Sequence, residues 1–115
     1  RSLAPTHAGR TKWRVWAANE MLNPANSAAK NWMIYDLQFY TSPSCTGPFN
    51  QHIRSYVNSG HNFGQVPENA FDAPRPNQRA TFWSGTPDGA QAFWLGVEFD
   101  TWVDIGCVRF LDDYD

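Results

Sequence analysis

The sequence predicts an all-β fold, an antiparallel jelly-roll β-sandwich of about eight short strands. Three observations lead there. Short stretches of alternating apolar and polar residues recur along the chain, separated by turn residues, and no long helical spacing interrupts them. Six Trp, eight Phe and four Tyr make up 16% of the chain, and large rings suit the pleated, half-buried surface of a sheet. A length of 115 residues holds one hydrophobic core and no second. Residues 1–11 read as an extended arm and residues 12–115 as one sandwich domain.

The elements follow in order. Trp13 to Ala18 begins a strand with Trp13, Val15 and Ala17 on one side. Asn19 to Lys30 is a loop around Pro24. Trp32 to Tyr40 is the first strong strand, with Met33, Tyr35, Leu37 and Phe39 expected inward and Ile34 blurring the other face. Ile53 to Val57 and His61 to Val66 are short strands around the Asn58-Ser59-Gly60 turn. Residues 67–80, with three prolines, form a surface loop anchored by Phe71. Thr81 to Ser84 is a short strand, and Thr86-Pro87-Asp88-Gly89 is a turn. Ala92 to Phe99 is the cleanest strand, with Phe93, Leu95, Val97 and Phe99 inward and Trp94, Gly96 and Glu98 outward. Trp102 to Leu111 closes the chain, and Arg109 interrupts its apolar face, as a bulge or a buried ion pair would.

Charge excludes some functions. A formal net charge of −2 argues against nucleic acid, which selects a basic face. No apolar run approaches the roughly 20 residues of a membrane span, and the opening RSLAPTHAGR has no apolar core of signal-peptide type. The charge is nonetheless polarised. Arg1, Arg10, Lys12 and Arg14 occupy the start with no acid among them, whereas Glu98, Asp100, Asp104, Asp112, Asp113 and Asp115 face only Arg109 at the end. Such ends attract one another, are simply solvated, or dock on a partner; Arg1, Arg10, Lys12 and Arg14 are the partner-docking candidates.

Cys45 and Cys107 stand 62 positions apart and form no C-x-x-C pair, so a structural zinc is not indicated. They are either two buried thiols or one long-range disulfide. The disulfide is the expected state, and it implies a secreted or extracellular protein or an oxidising organelle lumen. No N-x-S/T sequon occurs to mark the outside of a cell with N-glycans.

No nucleophile elbow, zinc-protease or P-loop pattern is present, and His7, His52 and His61 share no metal-ligand spacing. The chain is expected not to be an enzyme. Binding fits better, because a sandwich presents loops at its two ends and loops carry recognition. An exposed Trp stacks on the apolar face of a sugar ring while Asn and His bond its hydroxyls. The candidates are Trp16, Asn58, His61, Asn62 and Trp102, each of which could equally serve the core or cover a sheet face.

Residues 67–110 carry a family resemblance. Asn69-Ala70-Phe71-Asp72, then Thr81-Phe82-Trp83, then Trp94-Leu95-Gly96-Val97-Glu98-Phe99 resemble successive motifs of the F5/8 type C (discoidin-like, galactose-binding-like) family. The upstream WRVWAAN and WMIYDLQFYTSPSC look like a companion strand of related algal and protist modules. The resemblance implies an eight-stranded jelly roll that serves adhesion or carbohydrate binding without catalysis. Many members hold a structural Ca²⁺ in the loop between the Asp and the T-x-W; carried over, Asp72 and Thr81 would be its side-chain ligands, oxygen donors of the kind Ca²⁺ takes. No other cofactor is implied.

Two functions therefore stand side by side. One is a lectin-like module that recognises carbohydrate or a cell-surface glycan through loops at one end of the sandwich. The other is an accessory structural subunit docked by protein–protein contacts onto a larger assembly.

Overall fold

The computed structural model describes residues 10–17, 31–71, 81–90 and 92–114, with side chains through residue 112 in the last of these stretches. Six strands and one short 3-10 helix make up its regular structure: β1 (Arg10–Ala17), β2 (Trp32–Tyr40), β3 (Ile53–Asn58), the helix (Pro67–Ala70), β4 (Trp83–Gly85), β5 (Phe93–Val103) and β6 (Cys107–Tyr114). They form two antiparallel three-stranded sheets, ordered β1-β5-β3 and β4-β2-β6. Odd strands thus lie in one sheet and even strands in the other. Each pair of consecutive described strands is split between the two sheets, and among the described residues none closes a hairpin.

The core lies between the two central strands. Phe93, Leu95, Val97 and Phe99 of β5 meet Trp32, Ile34, Leu37 and Phe39 of β2, with Trp83 and Ala70 completing the cluster. Seven of the large side chains among these, Trp83 the largest, are fully buried. Each contributes about 1.5–3 kcal/mol relative to exposure. The alternation in Phe93–Phe99 falls as its pattern predicts. So does that of β1, whose Trp13, Val15 and Ala17 pack against the core while Arg10, Lys12, Arg14 and Trp16 are exposed. β5 passes close to β1 at Gly96, where a Cβ would overlap the carbonyl of Trp13 and the backbone of Arg14.

Other expectations are corrected. β1 begins at Arg10, so the end of the expected arm is strand. In β2 the inward residues are Trp32 and Ile34, then Leu37 and Phe39. The pairing with β6 shifts between Ile34 and Asp36, and this bulge turns Tyr35 and Asp36 to one side and exchanges the faces midway. His61 to Val66 is not a strand; it holds an isolated bridge, His61 to Gly85, and a turn closed from Gln65 N–H to the Asn62 carbonyl. Pro67–Ala70 is helical within the expected loop, and Phe71 does anchor it, lying 5.0 Å from Tyr56 and stacked on Phe39. The expected closing strand is two strands. Trp102 and Val103 end β5, the chain turns through Asp104, Ile105 and Gly106, and β6 begins in the other sheet. Arg109 is exposed beside Gln38 and forms neither bulge nor buried pair. The 19–30 loop, Arg1 and Asp72 lie outside the described residues.

Cys45 and Cys107 are joined as a disulfide, with Cα atoms 5.2 Å apart and a separation of 62 positions in sequence. It ties the loop after β2 to the start of β6. A closed loop of this length restricts the unfolded chain by about 4 kcal/mol in the chain-entropy picture. Reduction, or paired Cys45→Ser and Cys107→Ser substitution, is expected to lower the unfolding free energy in urea by several kcal/mol. A loss under about 1 kcal/mol would show that the tie does not support the fold.

Candidate functional site

Five strand termini gather at one end of the sandwich. β2 ends at Tyr40, β5 at Val103, and β1, β3 and β6 begin at Arg10, Ile53 and Cys107. Between the loop 41–52 and the turn at 104–106 opens a cleft of about 420 Å³. Its floor is Phe39 and Phe99 of the core; its walls carry Phe49, Gln51, His52, Thr101, Trp102 and Asp104. Trp102 is 51% exposed and Phe49 37%, a marked exposure for rings that border a core. Gln51, His52, Thr101 and Asp104 are exposed around them.

The loop keeps its shape by local means. Cys45, Asn50 and His52, with φ of 56°, 55° and 63°, are the non-glycine residues in the left-handed region, and Gly47 joins them at 81°. Non-glycine residues in that region cluster at functional sites and persist where surroundings hold them. Asn50 is held most firmly. Its N–H donates to the Phe39 carbonyl at 3.0 Å. Its Oδ1 accepts from Phe39 N–H at 2.9 Å, and its Nδ2 donates to the Leu37 carbonyl at 2.9 Å. Asn50 therefore stands in for a neighbouring strand along part of the β2 edge, where backbone groups need partners. Phe49 bridges to Tyr40 with ring centroids 5.3 Å apart. The His52 carbonyl accepts from Asp100 N–H at 2.9 Å, which leaves the imidazole at the rim.

The candidates read from sequence separate. Trp102 stands in the cleft; Trp16, Asn58, His61 and Asn62 are at the opposite end. Asn58 accepts from the Trp83 indole N–H at 3.3 Å, and Asn62 donates to Ser84 Oγ at 2.8 Å and to Asn31 Oδ1 at 3.1 Å. Both amides are engaged in holding β4. His61 is exposed with its Nδ1 3.0 Å from the Asn62 carbonyl, and Trp16 is 55% exposed beside Trp94 across β1 and β5. Thr81 is exposed ahead of β4. Among the described residues no three His, Cys, Asp or Glu side chains gather about a metal position; Asp72, the other residue of the expected calcium pair, lies outside them. Of the docking candidates, Arg10, Lys12 and Arg14 lie exposed along β1.

Phe49, Gln51, His52, Thr101 and Asp104 were not legible as a group, because a left-handed loop and a disulfide bring them together. The signal available was a large ring beside Asn50 and within four residues of Cys45.

A second aromatic region occupies the outer face of the β1-β5-β3 sheet. The Trp94 indole N–H donates to Asp88 Oδ2 at 3.0 Å, and the Arg14 guanidinium carbon lies 5.0 Å from the ring centre. Asp88 Oδ1 accepts from Ala90 N–H at 2.8 Å and Ala92 N–H at 3.0 Å. The indole bond first, then the two backbone bonds and the nearby Arg14 charge, hold the Asp88 carboxyl below the ordinary value of 3.8. These bonds stabilise the charged form.

Two outcomes follow. Asn50→Ala strips partners from Phe39 N–H and the Leu37 carbonyl; unsatisfied groups cost about 1–3 kcal/mol each, and urea unfolding is expected to show a loss in that range or above it. A loss below 0.5 kcal/mol would mean the cleft loop does not brace β2. Asp88 has a lowered pKa when folded, so its contribution is full above pH 3.8 and disappears as pH falls through the lower folded value. The Trp94 indole resonance is expected to hold steady through pH 3.8 and move below it. A midpoint at or above 3.8, or the same titration in Asp88→Asn, would remove Asp88 as its clamp.

No protein-family model, curated protein or solved structure matches the chain.

Proposed function

We propose that this chain is a non-catalytic, lectin-like module that binds a glycan in the cleft at the Trp102 end of the sandwich. The observation that carries it is the pairing of two exposed rings, Trp102 and Phe49, with a surround of Gln51, His52, Thr101 and Asp104. Apolar ring faces stack on the C–H faces of a pyranose, and short polar side chains around them bond its hydroxyls. A concave site of this size with few convergent polar groups is the usual form of a small-molecule site.

The discoidin-like, jelly-roll assignment belongs to the same proposal, and the strand order supports it. In an eight-stranded jelly roll numbered along the chain the sheets run 1-8-3-6 and 2-7-4-5. Here β1-β5-β3 and β4-β2-β6 have the order 2-7-4 and 6-3-8, which leaves the first and fifth positions of that scheme. The disulfide favours a secreted protein or an oxidising lumen.

The second reading, a subunit docked on a larger assembly, draws on β6. Val108 and Phe110 oppose Phe39 and Leu37 and so face inward, yet they are 38% and 47% exposed. An apolar inward face left open at an edge strand suits a protein partner.

A glycan array, read with and without Ca²⁺, compares the wild type with Trp102→Ala. Binding is expected in the wild type and to weaken about tenfold or more in the variant, the size typical of a stacking anchor. Failure of the wild type to bind any array glycan, together with migration in a large complex from native extracts, would replace this reading with the assembly subunit.

A further inference from the structure

We propose a second glycan site on the outer face of the β1-β5-β3 sheet, which makes the single chain bivalent. The proposal rests on the reading of the protein as a glycan binder but uses none of the cleft's residues. A trough of about 370 Å³ runs between β1 and β3, lined by Lys12, Trp13, Arg14, Val57, Trp94 and Glu98. Its geometry follows from register. Arg14, Gly96 and Val57 are aligned across the three strands, as are Lys12, Glu98 and Ser55. Paired residues share a face of the sheet. Gly96, buried between Trp94 and Glu98 on β5, lets β1 approach so closely that a Cβ there would overlap the Trp13 carbonyl and Arg14, and this draws the Lys12 and Arg14 side chains in beside Trp94 and Glu98.

The trough is built for a neutral, hydroxyl-bearing ligand. Trp94 is fixed in orientation by its bond to Asp88 and by Arg14, so its ring needs little ordering on binding. Trp16 lies beside it across β1 and β5 and is 55% exposed, which adds a second ring at the end of the trough. Lys12 and Arg14 are matched by Glu98 within the trough and by Asp88 at its end. The local charges balance, so neither a polyanion nor a polycation gains from the field. Charged side chains beside an indole, next to the apolar Val57, instead offer donors and acceptors to sugar hydroxyls and a face for the ring.

Both sites belong to β5. Trp94 and Trp102 are eight residues apart, about 26 Å along an extended strand, too far for one sugar unit to touch both. Single sugar sites are weak, and two sites on one rigid body raise avidity for a polymer or join two chains.

The test is ¹H–¹⁵N NMR of the Trp indole groups during titration with hexasaccharides of β-1,4-glucose, β-1,4-mannose, β-1,4-xylose and β-1,3-glucose. At least one probe is expected to shift the Trp94 and Trp16 resonances in the wild type and equally in Trp102→Ala. In Trp94→Ala the Trp16 shift is expected to vanish while Trp102 still responds; Arg14→Ala, which removes the guanidinium over the ring and retains the Asp88 bond to the indole, is expected to weaken the trough's response at least threefold. Shifts of Trp102 alone would overturn the second site and leave the cleft reading intact. Shifts of Trp94 and Trp16 alone would uphold the trough and overturn the cleft. No shift of these three indoles with any probe would overturn both.

Discussion

Burial of the inward face of β5 against β2 is the interaction on which the remainder of the structure depends. Among the described residues consecutive strands lie in opposite sheets, so none of these strands pairs by local chain reversal. Each ladder joins distant segments, and the sheets meet through Phe93, Leu95, Val97 and Phe99 packed on Trp32, Ile34, Leu37 and Phe39. Two-stranded pieces are marginal in water, and none of the six described strands closes a hairpin with its neighbour in sequence. Folding therefore waits on long-range contacts, which places it among the slower β topologies.

The same strand distributes function. The inward residues of β5 make the core, its outward residues make the trough, and its last residues make one wall of the cleft. A site on a central strand inherits the rigidity of the core, and small supporting bonds then fix its side chains. Asn50 performs that role at the cleft by completing part of the β2 edge. Asp88 performs it at the trough by joining the 88–92 turn to the Trp94 indole. Each couples a recognition surface to backbone that the fold must satisfy anyway.

How much of this was legible depended on whether a feature obeys a period. The β5 core face could be read because its alternation runs unbroken from Phe93 to Phe99, and the same holds for Trp13, Val15 and Ala17. The faces of β2 could not, since one bulge residue between Ile34 and Asp36 reverses the parity and leaves no trace in composition. The β5–β6 boundary was hidden for a related reason: Val103, Ile105 and Cys107 keep a strand-like alternation through a turn that changes sheets. At the sites, exposed Trp102 and Trp16 were readable as ring types near the ends of strands. Asn58 and Asn62 resembled ligand-binding amides, but amides also serve as fasteners, and only their partners Trp83 and Ser84 distinguish the two roles. Phe49 and His52 depend on backbone handedness, which an Asn or His permits without announcing.

The cleft loop is where covalent and conformational energies meet. Left-handed backbone at a non-glycine residue costs roughly 1–2 kcal/mol, less for Asn and His than for bulkier types, and the loop 41–52 contains three such residues. Their combined cost, about 3–5 kcal/mol, is of the same size as the roughly 4 kcal/mol by which the Cys45–Cys107 tie disfavours the unfolded chain. One of the three is Cys45 itself, so the residue that makes the tie also takes up part of the strain. A loop relaxed into ordinary dihedrals would point Phe49 and His52 elsewhere and open the wall opposite Trp102. The disulfide thus does more than raise global stability: it offsets the strain of the conformation that gives this end of the sandwich a concave, ring-lined surface.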